Sequence, residues 1–259
     1  MLNVTQGQVT YILKWYYGSN VNHFWEGLFT VTLEELKQGI ISGAIPVERP
    51  PVSIIETGQL PRANGGYTDY TISHGEDPFK AIECDQQWTK SNIELFEFIA
   101  AQNYDAAQLK NVLDSIQTED HHWDWFKKTL SYSKDEYEWF YLYAEEKPQG
   151  VCLIYHPKVS ALSTSNIFYV EYLAVAPWNR DCLIRKRDFL KIGSTLLTCS
   201  LRFAVTTLGL TPGLSLHSLP QARGYYEKLN MINIERENKP RLMYFELPYA
   251  EAEKLLGVA

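Results

Sequence analysis

The strongest constraint on the fold lies between residues 167 and 218. IFYVEYLAVA (167–176) is β-branched, aromatic and apolar, which is strand composition, and Pro177 stops it. A basic stretch and a lone glycine, Gly193, then open a helix that reaches Leu208 and ends at Gly209. Glycine ends helices because it enters the left-handed conformation without strain. LSLHS (214–218) is again a strand. Strand, helix and strand in close succession commit the chain to the α/β class. The glycine at the helix mouth admits two readings. It is a tight turn into a core helix, or a phosphate cradle where backbone N–H groups and the helix dipole face an anion.

Other elements read with the same rules. VTYILKWYY (9–17) and GLFTVT (27–32) are strands, and Thr32-Leu-Glu-Glu35 is a capping box opening a helix. AIPVERPPVSII is too proline-rich for a central strand. ETGQLPRANGGYTDYTISHGEDP (56–78), rich in Gly, Pro, Asn and Thr, reads as loop or linker. FKAIEC (79–84) reads as a short strand, Ser91-Asn-Ile-Glu94 as a second capping box, Asp105 as the cap of a further helix, and HHWDWFKKTL as another. WFYLYA (139–144) and VCLIYH (151–156) flank EEKPQG as a hairpin. Ser218-Leu-Pro-Gln221 reads as the capping box of ARGYYEKL, and INIERE and LMYFEL pair around NKPR. The expected organisation is a small α+β extension over residues 1–76, of unassigned role, followed by a mixed α/β domain over 77–259.

Composition excludes more than it assigns. The chain has 259 residues, 45% hydrophobic and 21% charged, which is ordinary for a globular protein. No apolar run approaches the roughly 20 residues a membrane helix needs. The N-terminus lacks a basic region followed by an apolar core, so a cytoplasmic location is expected. The four cysteines, Cys84, Cys152, Cys182 and Cys199, have no CxxC spacing, so reduced thiols are expected rather than a zinc site. A net charge of −7 argues against a nucleic-acid surface. Against it stands a local cluster, Arg180, Arg185, Lys186, Arg187 and Lys191, opposed only by Asp181 and Asp188. A basic patch on an acidic chain points either to a small, highly anionic ligand or to a solvated loop.

These residues resemble a known family. YLAVAPWNR, the basic run, IGSTLL and LHSLPQARGYYEKLNM, in that order over about residues 77–250, are similar to the GNAT superfamily of acetyl-CoA-dependent N-acyltransferases. The family motif A-x-x-F/Y-Y-x-x-x-G-F/M is met by Ala222, Tyr225, Tyr226 and Met231, with Asn230 in the glycine position. The motif R/Q-x-x-G-x-G/A is met only at Gly193, because Lys191 stands where the first glycine belongs and Asp188 where Arg or Gln belongs. The resemblance implies a GNAT-like mixed, mostly antiparallel sheet flanked by helices. It also implies pantetheine in a gap between the fourth and fifth strands, and pyrophosphate at the following helix. Acetyl-CoA or coenzyme A would be the acyl-donor co-substrate. Leu173, Val175, Arg187, Lys191, Ile192, Gly193, Ser194 and Thr195 would bind it, and Gly193 would allow close backbone approach.

By the same resemblance Tyr226 is the general acid and Glu171 the general base, with Tyr225 packed in the core. A lysine-like amine of pKa about 10.4 is only about one part in a few thousand neutral at pH 7, so a base has work to do. Glu119, Asp120, His121, His122 and Asp124, interleaved with Trp123 and Trp125, lack HxxxH spacing, so no metal is expected. They read as a solvated helix face or as a lining for a cationic amine. Ser218 is read as a helix cap and His217 as a residue near the site. The expected activity moves an acetyl or short acyl group from coenzyme A to an unnamed amine. Two rivals are an acyl-CoA-binding module without turnover and a toxin-type aminoacyl-tRNA acetyltransferase. The expected partners are acyl-CoA and an amine, not a membrane or nucleic acid, and a homodimer is compatible with the sequence.

Overall fold

The computed structural model describes residues 3–5, 8–16 and 24–257, with side chains from 31 onward. β1 (Asn3–Thr5), β2 (Gln8–Tyr16) and β3 (Phe24–Thr32) form a separate antiparallel sheet. α1 (Leu33–Ser42) follows directly. The Thr32 capping box is present: the Glu35 N–H donates to Thr32 Oγ1 at 3.2 Å, and the Thr32 N–H donates to Glu35 Oε2 at 2.7 Å.

β4 (Ser53–Pro61) and β5 (Tyr67–His74) form a hairpin, which corrects the loop or linker reading of 56–78. The glycines and prolines that suggested a linker belong to the turn, where Gly65 and Gly66 take φ of 97° and 80°, and to the end of the edge strand, where Pro61 is tolerated. The Thr–Tyr alternation of β5 sends Tyr70 and Ile72 into the core. β5 pairs with β6, so a division at residue 76 falls inside one sheet.

α2 (Pro78–Ala101) corrects the strand expected at 79–84. Asp77 accepts from the N–H groups of Phe79 and Lys80 at 3.0 and 3.1 Å, and Pro78 takes the first helical position. This start signal outweighs a short apolar run. Ser91, expected as a cap, is buried in the middle of the helix. α3 (Ala106–Ser115) is capped by Asp105 as expected. α4 (Trp125–Ser131) occupies the second half of HHWDWFKKTL.

β6 (Tyr137–Ala144) and β7 (Lys147–Val159) form the expected hairpin, with a tighter turn than EEKPQG because Glu145 and Glu146 both take positive φ. β8 (Asn166–Val175), α5 (Ile192–Thr206) and β9 (Leu214–Ser218) reproduce the strand–helix–strand unit. α6 (Arg223–Lys228), β10 (Ile232–Asn233), β11 (Met243–Leu247) and α7 (Tyr249–Leu256) complete the chain. Ser218 does not cap α6. Its hydroxyl donates to the Leu219 carbonyl at 2.7 Å, and a single 3-10 turn, Pro220–Ala222, intervenes.

The large sheet runs β10-β11-β9-β8-β7-β6-β5-β4, and only β8 and β9 pair parallel. One face packs α5 and α7 over Phe140, Cys152, Ile154 and Phe168. The other packs α1, α2 and α4 over Trp139, Tyr141, Val151 and Leu153. All four cysteines are free thiols. Among the described residues no helix is long and apolar enough to cross a membrane.

Candidate functional site

The parallel pairing of β8 and β9 lasts for only Phe168–Leu214, Tyr169–Ser215 and Val170–Leu216. On its other side β8 pairs Tyr172 with Leu153 and Val170 with Ile154, which leaves Glu171 as an extra, bulged residue. A bulge bends a strand and increases its twist. Beyond it β8 parts from β9 and opens a cleft of about 340 Å³. Leu173 and Val175 line one wall, Lys191, Ile192, Gly193 and Ser194 the helix mouth, and Tyr225 and Tyr226 the far side.

The mouth of α5 has no side-chain cap. The first helical hydrogen bond is from the Thr195 N–H to the Lys191 carbonyl at 2.8 Å. The N–H groups of Ile192, Gly193 and Ser194 have no acceptor among the described residues and face the cleft end of the helix dipole. Lys191, in the position of a motif glycine, has φ of 64°, a conformation glycine takes freely and lysine takes with strain. Gly193 has ordinary helical φ. A β-carbon there would lie 3.9 Å from Val175 Cγ1 and 4.0 Å from Leu173 Cδ2, which is normal contact. The fold therefore has room for a side chain at Gly193, and that side chain would enter the cleft.

The basic cluster does not act as one free patch. Arg180 donates to Asp120 Oδ1 at 2.6 Å, to the Gln117 carbonyl at 2.9 Å and to the Val175 carbonyl at 2.8 Å. Arg187 lines the cleft but pairs with Asp181 Oδ2 at 3.0 Å. Arg185 reaches the Ser91 hydroxyl. Lys186 and Lys191 remain without a carboxylate partner among the described residues. Asp120 and Gln117 lie far from Arg180 in sequence, so only the folded chain brings them together.

The two tyrosines are placed differently from expectation. Tyr225, expected in the core, is 37% exposed, and its hydroxyl lies beside that of Ser194. Tyr226 is 8% exposed and packs against Phe245 with ring centroids 6.0 Å apart, while still lining the cleft. Its hydroxyl has no partner among the described residues, and burial pushes its pKa up. Both tyrosines of α6 line the cleft.

Glu171 and Thr195 do not line this cleft. The Glu171 carboxyl instead lies within electrostatic reach of Tyr132 and Lys128, on the α4 side of the sheet. Burial raises its pKa, against the pull of Lys239, Tyr132 and Lys128. His217, at the end of β9, has Nδ1 2.7 Å from the Tyr169 hydroxyl and Nε2 2.9 Å from the Glu237 carbonyl. The carbonyl fixes Nε2 as the donor, so Nδ1 accepts from Tyr169. In the 119–125 cluster Asp120 holds Arg180, Asp124 caps α4, and Trp123 and Trp125 pack edge-on against Tyr172.

No family model matches the chain, and no curated protein matches it. Several solved structures are similar. The apo structure of FdhC, described as a nucleotide-linked sugar GNAT, shares 11% identity at a TM-score of 0.44, over 76% of this chain and 93% of its own. An acetyltransferase from Thermus thermophilus shares 12% at 0.42, over 76% and 99%. The PaiA N-acetyltransferase of Thermoplasma acidophilum, in complex with coenzyme A, shares 12% at 0.41, over 69% and 99%. The topology itself carries the assignment. With one parallel pair in an otherwise antiparallel sheet, helices on both faces, and β8 and β9 parting over the mouth of α5, the chain has the mixed, mostly antiparallel α/β fold that the GNAT resemblance implies.

Proposed function

We propose that this chain transfers an acetyl or short acyl group from coenzyme A to an amine. The observation that carries the reading is the cleft between β8 and β9, floored by three unpaired N–H groups at the mouth of α5. Such donors suit a pyrophosphate without needing particular side chains. Lys191 adds a cation at the same place, and Leu173 and Val175 give an apolar wall for an extended thiol arm. Arg187 and Ser194 are proposed as further contacts, whereas Thr195 acts through the helix backbone.

Acyl-CoA would supply the activated thioester, and the chain's residues manage the protons. Tyr226 is proposed as the acid that protonates the leaving thiolate. A thiol pKa near 8.5 against a tyrosine near 10 leaves that transfer uphill by only about 2 kcal/mol. Burial of Tyr226 strengthens its hold on the proton, so it serves as a hydrogen-bond donor first. Glu171 is proposed as the base. It sits on the bulge and does not line the cleft, so it takes the amine's proton through a water or hydroxyl relay. That same displacement favours a second reading, an acyl-CoA-binding module without turnover. Calorimetry with coenzyme A and acetyl-CoA, followed by thiol release with a panel of amines, separates the two. Binding with no thiol released from any amine would support the module, and no binding would remove both.

A further inference from the structure

α4 is 7 residues long, too short to hold itself by its own hydrogen bonds, so the groups that cap its first turn decide where it lies. Two carboxylates do this. Asp85, from the middle of α2, accepts from the N–H groups of Trp125 at 2.6 Å and Phe126 at 3.0 Å. Asp124 accepts from the Lys127 N–H at 2.7 Å. Both meet a single cation, Lys37 of α1, whose Nζ is 3.0 Å from Asp85 Oδ2 and 3.0 Å from Asp124 Oδ2. The Lys37 and Asp85 side chains are only 13% and 9% exposed, so charge counts for more here than at the surface. Burial and the Asp124 charge push the Asp85 carboxyl up to about 6, and Lys37 works against that rise.

The other end of α4 bears on the proposed base. Tyr132, the residue after the helix, has its hydroxyl 3.1 Å from that of Tyr172, which neighbours Glu171 on β8, and Tyr132 feels the Glu171 charge. Lys128 Nζ sits 3.7 Å from the centroid of the Tyr172 ring. The Tyr132 carbonyl is held by Trp139 Nε1 at 3.1 Å.

The geometry points to Lys37 as a positioning residue. By bridging the two carboxylates that cap α4, it sets Lys128 and Tyr132 near Glu171, and so ties the N-terminal helix to the acceptor side of the site. The catalytic part of this inference rests on the acyl-transfer reading above. The structural part does not.

Lys37→Met is the test variant, because its apolar stem can keep the contact with Phe126 while the charge is lost. Amide hydrogen exchange of the full chain should accelerate at least about tenfold over residues 125–132, the scale of a lost cap, with α5 unchanged. Lys37→Arg should restore parent exchange. In a turnover assay Lys37→Met should lower kcat/KM for the amine at least about fivefold and leave coenzyme A affinity within twofold of the parent. Unchanged exchange over 125–132, or equal acceleration in all helices, would overturn the inference. So would an equal loss of coenzyme A affinity. If Lys37→Met does not fold, the same exchange measurement on Lys37→Gln decides. If the parent binds no coenzyme A, the acyl-transfer reading fails, while the exchange result still judges Lys37.

Discussion

At the scale of single residues, the helix mouth and the tyrosine pair separate structural from functional roles. Gly193 has space for a β-carbon and no positive φ, so Gly193→Ala should fold and melt at or above the parent temperature, alanine being favoured over glycine in a helix by about 1 kcal/mol. Its methyl group would point toward Leu173 and Val175, inside the cleft. Coenzyme A affinity should therefore fall about tenfold or more while stability holds. Calorimetry beside a thermal melt checks both halves, and parent-like affinity would mean the mouth is only a turn. Tyr226→Phe removes a hydroxyl without a partner among the described residues, so stability should change little. Its kcat should drop by roughly ten- to a thousandfold if the hydroxyl is the acid. Tyr225→Phe should cost far less, and equal rates in the two variants would remove the assignment.

At the scale of elements, α4 is the sensitive part. Asp85 has a folded pKa of about 6, above its ordinary value, because of burial first and Asp124 second. A carboxyl whose folded pKa is raised contributes stability below its unfolded pKa, near 3.9, and loses that contribution as pH rises through the folded value. Asn at position 85 does not titrate. The stability deficit of Asp85→Asn relative to the parent should therefore shrink between pH 4.5 and pH 7.5. Melting temperatures of both proteins across that window check the sign, and a deficit that grows with pH would show that the Lys37 pairing outweighs burial.

At the scale of the whole molecule, the N-terminal half supports the proposed site from two directions. The tip of the β4–β5 hairpin holds the loop before α5: the Leu190 N–H donates to the Pro61 carbonyl at 2.9 Å, and the Ala63 N–H to the Asp188 carbonyl at 3.0 Å. A chain beginning at residue 77 loses those partners and uncovers the edge of β6. It should aggregate, or fold without binding coenzyme A. A chain beginning at residue 46 keeps the hairpin and gives up α1. It should still bind coenzyme A, with amine turnover reduced because Lys37 is gone. Calorimetry on the two truncations tests the order, and tight binding by the shorter one would show that the hairpin is dispensable.

The sequence by itself determined the strand–helix–strand unit, the Thr32 and Asp105 caps and the β6–β7 hairpin, because strand composition, capping side chains and turn residues act within a few positions of one another. It also determined that Gly193 lies at a helix mouth. It misread 56–78, because glycine and proline mark a hairpin turn and an edge strand as readily as a linker, and only pairing with β6 tells them apart. The tertiary structure alone decided that Arg180 pairs with Asp120, and that Glu171 sits on a bulge outside the cleft. It also decided that Lys37 reaches Asp85 and Asp124. Charge pairs and bulges depend on which distant segments meet. No local spacing encodes that meeting, because it is fixed by sheet order and by the burial of both faces.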